Sequence, residues 1–393
     1  MGVRVYLDWN ASAPMRPQAR DAMQAALELT GNPSSVHGEG RAARTVIEQA
    51  REAVAALVGA DSRNVIFTSG GTEANALALS PSIQVGDDKR HFGRLLVSAI
   101  EHPSVLAGGQ FPASSVEHLG VTADGVIDLV ALEQRLAALT RGNERLMVSV
   151  MAANNETGVI QPAAHVAEIV HRHGGLLHVD AVQAAGRMPL DIGATGADLL
   201  TLSAHKMGGA KGAGALIRRD ESIHFADPLI RGGGQERGTR AGTENVAAIA
   251  AFGAAAAAVR ADMVAEVRHM AALRNRLEAG LRAVTPQAVV FGDGADRLPN
   301  TTLVAMPDAK AETLVIGFDL DGVAVSSGSA CSSGKVAPSH VLAAMGVAPD
   351  LARGAIRVSL GPSTSEADVD RFLNVWQKLG KSLSNGMKRG LAA

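Results

Sequence analysis

Apolar residues in the stretch 35–59 fall at Val46, Ile47, Ala50, Val54, Leu57 and Val58, a 3.6-residue rhythm closed by Gly59. That rhythm predicts a helix with one stripe facing a core. Downstream, short runs rich in aliphatic and β-branched residues recur at 64–68, 94–100, 146–151, 176–179, 199–203 and 213–217, with helical patterns between them. Such alternation predicts an α/β fold: a mostly parallel central sheet, helices on both faces, and ligands at the carboxyl ends of the strands. A helix over 311–319, a strand near Val323, a strand carrying Arg357 and a helix from Glu366 predict a smaller α+β unit.

A chain of 393 residues exceeds the size at which one core keeps growing, so two domains are expected. Residues 15–258 would hold the sheet, and residues 1–14 with 259–393 the smaller unit. Gly232-Gly233-Gly234 and Gly238 read as a flexible segment, and the polar tail after Gly380 as frayed. The formal net charge of −2 leaves no basic excess for nucleic acid or an anionic membrane. The first ten residues lack the apolar segment of a signal peptide. The run from Val246 to Val259 is mostly alanine, too short to span a bilayer, and stops at Arg260, so it reads as a buried helix. A single cysteine fits a reducing compartment, hence a cytoplasmic location.

That cysteine, Cys331, stands in Ser326-Ser327-Gly328-Ser329-Ala330-Cys331-Ser332-Ser333-Gly334. One thiol can form neither an internal disulfide nor a multi-cysteine metal site. Its remaining uses are packing and reaction, and a run of serines and glycines offers no apolar wall to pack against, so the reactive use is expected.

Other candidate chemistry sits at the predicted strand ends. Ile66-Phe67-Thr68-Ser69-Gly70-Gly71-Thr72 runs from a strand through two glycines into a helical pattern, presenting free amides and a hydroxyl as a phosphate cradle would. A turn that merely caps a helix would look the same. His178-Val179-Asp180 closes a second strand with a carboxylate, and Ser203-Ala204-His205-Lys206 a third with an amine. Alone, the first reads as a helix cap and the second as a solvated lysine. Together with the cradle they match pyridoxal 5'-phosphate, which needs an amine for its aldehyde and a carboxylate for its ring nitrogen.

Eight segments occur in the order and spacing of the cysteine desulfurases, and the sequence resembles that family over nearly its whole length. They are Gly70-Gly71-Thr72-Glu73, Glu101-His102-Pro103, Asn154-Asn155-Glu156-Thr157-Gly158, His178 to Gln183, Ser203 to Lys206, Arg240-Ala241-Gly242-Thr243, Ser327 to Cys331 and Ile356 to Gly361. These are pyridoxal-phosphate enzymes of the class V aminotransferase superfamily, fold type I. The resemblance is to the nitrogen-fixation and iron–sulfur-cluster branch.

The resemblance implies roles residue by residue. Lys206 would hold the cofactor, Asp180 would pair with its ring nitrogen, and Gln183 and Asn155 would approach the ring hydroxyl, Asn155 also facing substrate. His102 would stack on the ring and assist proton transfer. Gly71, Thr72, Ser203 and His205 would bind the phosphate, and Thr243 that of the other subunit of a homodimer. Arg357 would clamp the substrate carboxylate, and Cys331 would be the nucleophile. L-Cysteine would yield L-alanine and a persulfide on Cys331, passed to an iron–sulfur scaffold or other sulfur acceptor. A selenocysteine lyase or another enzyme of the superfamily is the alternative.

Departures from the family pattern are Trp9 and Ser12 in the opening segment and the glycine-rich turn Met207 to Gly212. No metal is expected: His171 and His173, two apart on a helix, read as solvated. His178 reads as a satisfied core histidine pointing away from Asp180. Asn32 and His37 read as lining the substrate entrance, or as part of a helix start capped by Ser34 or Ser35.

Overall fold

The computed structural model describes residues 4–88, 91–141, 144–328 and 338–390, with side chains up to 382. Cys331 lies outside the described residues, and so does most of the segment around it.

A seven-stranded sheet forms the centre. Its order is Val65–Thr68, Gly214–Arg218, Leu199–Ser203, Leu176–Asp180, Leu146–Met151, Arg94–Ser98 and Val116–Leu119. Pairing is parallel from Leu199–Ser203 across to Val116–Leu119. Gly214–Arg218 runs antiparallel to both its neighbours. The reason is the connection: the ten residues after Ser203 form a short helical turn and a loop, not the longer crossover that a parallel return needs. Val65–Thr68, reversed twice, again points the same way as the parallel strands.

The inner strands are buried throughout, as a sheet covered on both faces requires. One face packs on the larger apolar core, including Val54, Val148, Val179 and Phe252. The other packs on Leu77, Leu95, Met147 and Leu216.

The helix predicted over 35–59 spans Gly38–Leu57, and its cap is His37, which accepts from the Gly40 amide at 3.3 Å. His37 therefore serves the helix start itself, in place of Ser34 or Ser35. The apolar run from Val246 opens a 39-residue helix, Val246–Val284, roughly 58 Å long at 1.5 Å per residue. By length and composition it could cross a membrane, but its alanine-rich first half is buried against the Pro17–Leu27 and Gly38–Leu57 helices. A Cβ at Gly253 would lie 2.4 Å from Ala50 Cα, so glycine there sets the close approach. The second half joins another core through Leu273, Leu277 and Leu281, with Phe318, Phe372 and Trp376.

That second core covers an antiparallel sheet of Val289–Val290, Thr301–Ala305 and Ala355–Ser359, and the parallel pair Val5–Tyr6 with Val323–Ala324. The last helix spans Glu366–Gly390, so the tail expected to fray after Gly380 is helical in its backbone. The glycine-rich segment expected to be flexible is pinned at its centre. Glu236, at φ +45°, is buried, pairs with Arg51 at 2.7 and 2.8 Å, and accepts from the Phe67 amide.

Candidate active site

Six strands share one direction, and the carboxyl ends of five of them deliver the chemistry-bearing residues to one sheet edge: Gly70 to Thr72, Glu101 and His102, Asn154 and Asn155, Asp180, and Ser203 to Lys206. A cavity of about 290 Å³ opens there. Of the expected site residues that are described, all but Thr243 line it. Thr243 is exposed and outside this lining. A larger cavity of about 730 Å³ over the Arg51–Glu236 pair holds none of these strand-end groups, so chemistry and not volume singles out the smaller one.

Asp180 ends its strand buried, with both oxygens engaged. Oδ1 accepts from the Val182 amide at 3.0 Å and Oδ2 from Asn75 Nδ2 at 2.8 Å. Asn75 is itself held by Thr201, whose hydroxyl donates to Asn75 Oδ1 at 2.7 Å. Register explains the triad, because Thr201 is the cross-strand neighbour of Asp180. Asn75, on the helix that starts at Gly71, was not among the residues anticipated from sequence; the glycine turn just before it was the only hint.

Lys206 Nζ donates to the carbonyls of Asn10 (2.6 Å) and Ala11 (3.1 Å). Gln183 Nε2 donates to the same Asn10 carbonyl at 3.0 Å. The N-terminal segment thereby forms one wall of the cavity.

At the glycine turn, a Cβ on Gly71 would lie 3.0 Å from Val182 Cγ2 and 3.3 Å from Ser203 Cβ. Glycine keeps that corner open for a bulky anion beside Thr72, Ser203 and His205. Burial, then the charges of Lys206, Lys211 and Arg187, push the His205 imidazole down to about 4. It is neutral at pH 7.

Arg357 is drawn in by its strand, which exchanges backbone hydrogen bonds with Ser326. Its Nη1 donates to the Asn155 carbonyl at 2.9 Å and its Nη2 to Asp8 at 2.8 Å, while Nε is buried with no hydrogen-bond partner among the described residues. A buried, unused N–H on an arginine facing a cavity suits an anionic ligand. His102 caps the Pro103–Leu106 turn, its Nδ1 lying 2.8 Å from Ser104 Oγ. Burial, reinforced by Lys206 and His340 and opposed by Asp180, holds it below the usual histidine range.

Two expectations about His178 need correction. Residues two apart on a strand share a face, so His178 lies on the same face as Asp180 and feels its charge. Its Nδ1 is 2.8 Å from Ser149 Oγ, but Nε2 is buried with no hydrogen-bond partner among the described residues, so the ring is only half satisfied there. His171 is exposed, as expected, and its Nε2 also lies 2.9 Å from Asp198. Among the described residues no group of three or more histidine, cysteine, aspartate or glutamate side chains could hold a metal.

A family model described as aminotransferase class-V matches residues 5–372. A cysteine desulfurase of Cereibacter sphaeroides is 44% identical over 378 residues, 95% of this chain and 94% of its own. Among solved structures, a NifS-like protein from Rickettsia africae matches with a TM-score of 0.85 at 35% identity, covering 96% of this chain and 99% of that one. A structure described as SspA in complex with cysteine matches with a TM-score of 0.74 at 29% identity, covering 92% of this chain and 100% of that one.

Proposed function

The chain belongs to the aminotransferase class-V family, and within it we propose a pyridoxal-phosphate-dependent cysteine desulfurase. The observation that supports this reading most is that Lys206 and Asp180 line one cavity together with the open Gly71 corner and the unpartnered Nε of Arg357. The donor set fits the cofactor. An amine suits its aldehyde, a buried carboxylate its ring nitrogen, a glycine turn with hydroxyls its phosphate, and the side chains of Gln183 and Asn155 its ring hydroxyl.

When bound, pyridoxal phosphate supplies a carbonyl that captures amines and a ring that stabilises negative charge at the substrate α-carbon. Lys206 would hold that group, and its amine is the base placed to take the α-proton. Asp180, fixed by Asn75 and Val182, would favour a protonated ring nitrogen. Arg357 binds the substrate carboxylate, a task for a guanidinium with a free N–H. His102, neutral at pH 7, accepts or returns a proton beside the ring. Cys331 as thiolate attacks the substrate sulfur. The carbon–sulfur bond breaks with its electron pair left on carbon, which is protonated and leaves as alanine, while a sulfur–sulfur bond forms on Cys331. The persulfide then passes to an acceptor protein, for which iron–sulfur cluster assembly is the proposed use. Thr243 reaches the phosphate of a second copy, so the working unit is a homodimer.

The test is alanine release from L-cysteine by the cofactor-loaded protein. Cys331→Ala should bind the cofactor yet release none. If that variant still cleaves selenocysteine while the wild type ignores cysteine, the protein is a selenocysteine lyase instead.

A further inference from the structure

Arg187 is a buried cation with no carboxylate partner among the described residues. Gly186, at φ +84°, turns the chain so that Arg187 points inward. Its Nη1 donates to the backbone oxygen and to Oε1 of Gln183, both at 2.7 Å. Its Nη2 donates to the carbonyls of Trp9 and Lys206, both at 3.3 Å. All four acceptors are neutral, so the guanidinium is desolvated without a counter-charge. Burial and then the charge of Arg357 lower its pKa to about 9, which leaves it cationic at pH 7. An uncompensated buried cation costs stability, and a neutral side chain of similar length would avoid that cost.

What the charge accomplishes follows from hydrogen-bond logic. An arginine only donates, so the Gln183 amide must turn its oxygen to Arg187 and its nitrogen the other way. That nitrogen donates to the Asn10 carbonyl, which also receives Lys206 Nζ. Gln183 lines the cavity, so its amide faces a ligand as a donor and not as an acceptor. The same guanidinium ties the Trp9 carbonyl to the Lys206 turn, fixing the wall on which the lysine amine rests.

We propose that Arg187 is a positioning residue: it locks the Gln183 amide as a donor toward the cavity and ties the Trp9–Ala11 segment to the turn that carries Lys206. This rests on the function proposed above only where the cofactor is used as a probe.

The deciding measurement uses cofactor-free protein labelled with ¹⁵N-glutamine, the Gln183 side-chain signal being assigned by its loss in Gln183→Leu. Solvent exchange of that NH₂ should be slow in the wild type, faster by about tenfold or more in Arg187→Met, and near wild type in Arg187→Lys, as expected when one strong hydrogen bond is lost or kept. Unchanged exchange in Arg187→Met overturns the proposal.

A second arm separates positioning from mere packing. Gln183→Glu would face Arg187 as an ion pair but lose the donor to the Asn10 carbonyl; it should still fold, as urea unfolding checks, yet bind pyridoxal phosphate about tenfold more weakly because its carboxylate cannot donate. Wild-type affinity in Gln183→Glu also overturns the proposal. If the wild type itself fails to bind pyridoxal phosphate while the amide exchange behaves as expected, the proposed function falls and the role of Arg187 stands.

Discussion

The side-chain amide of Asn75 donates to Asp180 Oδ2 across 2.8 Å while its oxygen accepts from Thr201, so the carboxylate is aimed by a residue far away in sequence. Replacing Asn75 by Leu strands a buried hydroxyl and a buried carboxylate oxygen. The expected loss is about 2–6 kcal/mol of stability, since each of the two orphaned polar partners costs about 1–3 kcal/mol. Affinity for pyridoxal phosphate should fall with it. Urea unfolding and a spectral titration with the cofactor check both outcomes; unchanged cofactor affinity would remove Asn75 from the site.

Gly214 backs the glycine turn. A Cβ there would lie 2.4 Å from the carbonyl carbon of Gly70, a backbone atom that cannot rotate aside. Gly214→Ala should cost about 1–3 kcal/mol, the usual range for overpacking. The displaced turn should also weaken cofactor binding through its phosphate. A variant with lowered melting temperature but intact affinity would mean that the cradle does not depend on this contact.

Glu101 lies behind the site with Oε1 accepting from the Met151 amide at 2.7 Å and Oε2 unpartnered among the described residues. Burial, then the nearby Asp180 charge, raises its pKa well above the ordinary value. The folded state therefore holds a proton that the unfolded state releases above about pH 4.5, so this group erodes stability as pH rises from there. Glu101→Gln should be more stable than wild type at pH 8, with the advantage shrinking toward pH 4. Denaturant unfolding across that range checks it, and a pH-independent loss in the variant would contradict it.

His178 has the opposite slope. Burial pushes its pKa down to about 4 against an ordinary 6.5. Between those values the unfolded state binds the extra proton, so the stability it contributes is complete above about pH 6.5 and is lost as pH falls toward 4. The loss is on the order of 3 kcal/mol at about 1.4 kcal/mol per unit. His178→Asn should flatten the stability profile between pH 6.5 and 4, whatever its constant offset. An unaltered slope would place the acid sensitivity elsewhere.

The legible parts of the molecule were those written in local pattern. Aliphatic runs ending in Gly70-Gly71, Asp180 and Lys206 announced strands that meet at one edge, because strand, turn and functional residue are contiguous in sequence. Pairings across distance were not legible. Nothing near Gly214 shows that its strand reverses; the short connection matters only once both neighbours are known. Val116–Leu119 escaped notice because Val-Glu-His-Leu carries too few apolar residues to stand out as a strand. Asn75, Arg187 and Glu236 act through partners far away in sequence or through a turn geometry that only coordinates reveal. His171 found Asp198 for the same reason.

Intact-mass spectrometry of the cofactor-loaded protein after incubation with L-cysteine tests the central claim most directly. The account predicts a species heavier by one sulfur atom, mapped to Cys331, removed by a thiol reductant, and absent from both Cys331→Ser and Lys206→Ala. Alanine formed in step with cysteine loss but with no sulfur on Cys331, or the adduct persisting in Lys206→Ala, would contradict it.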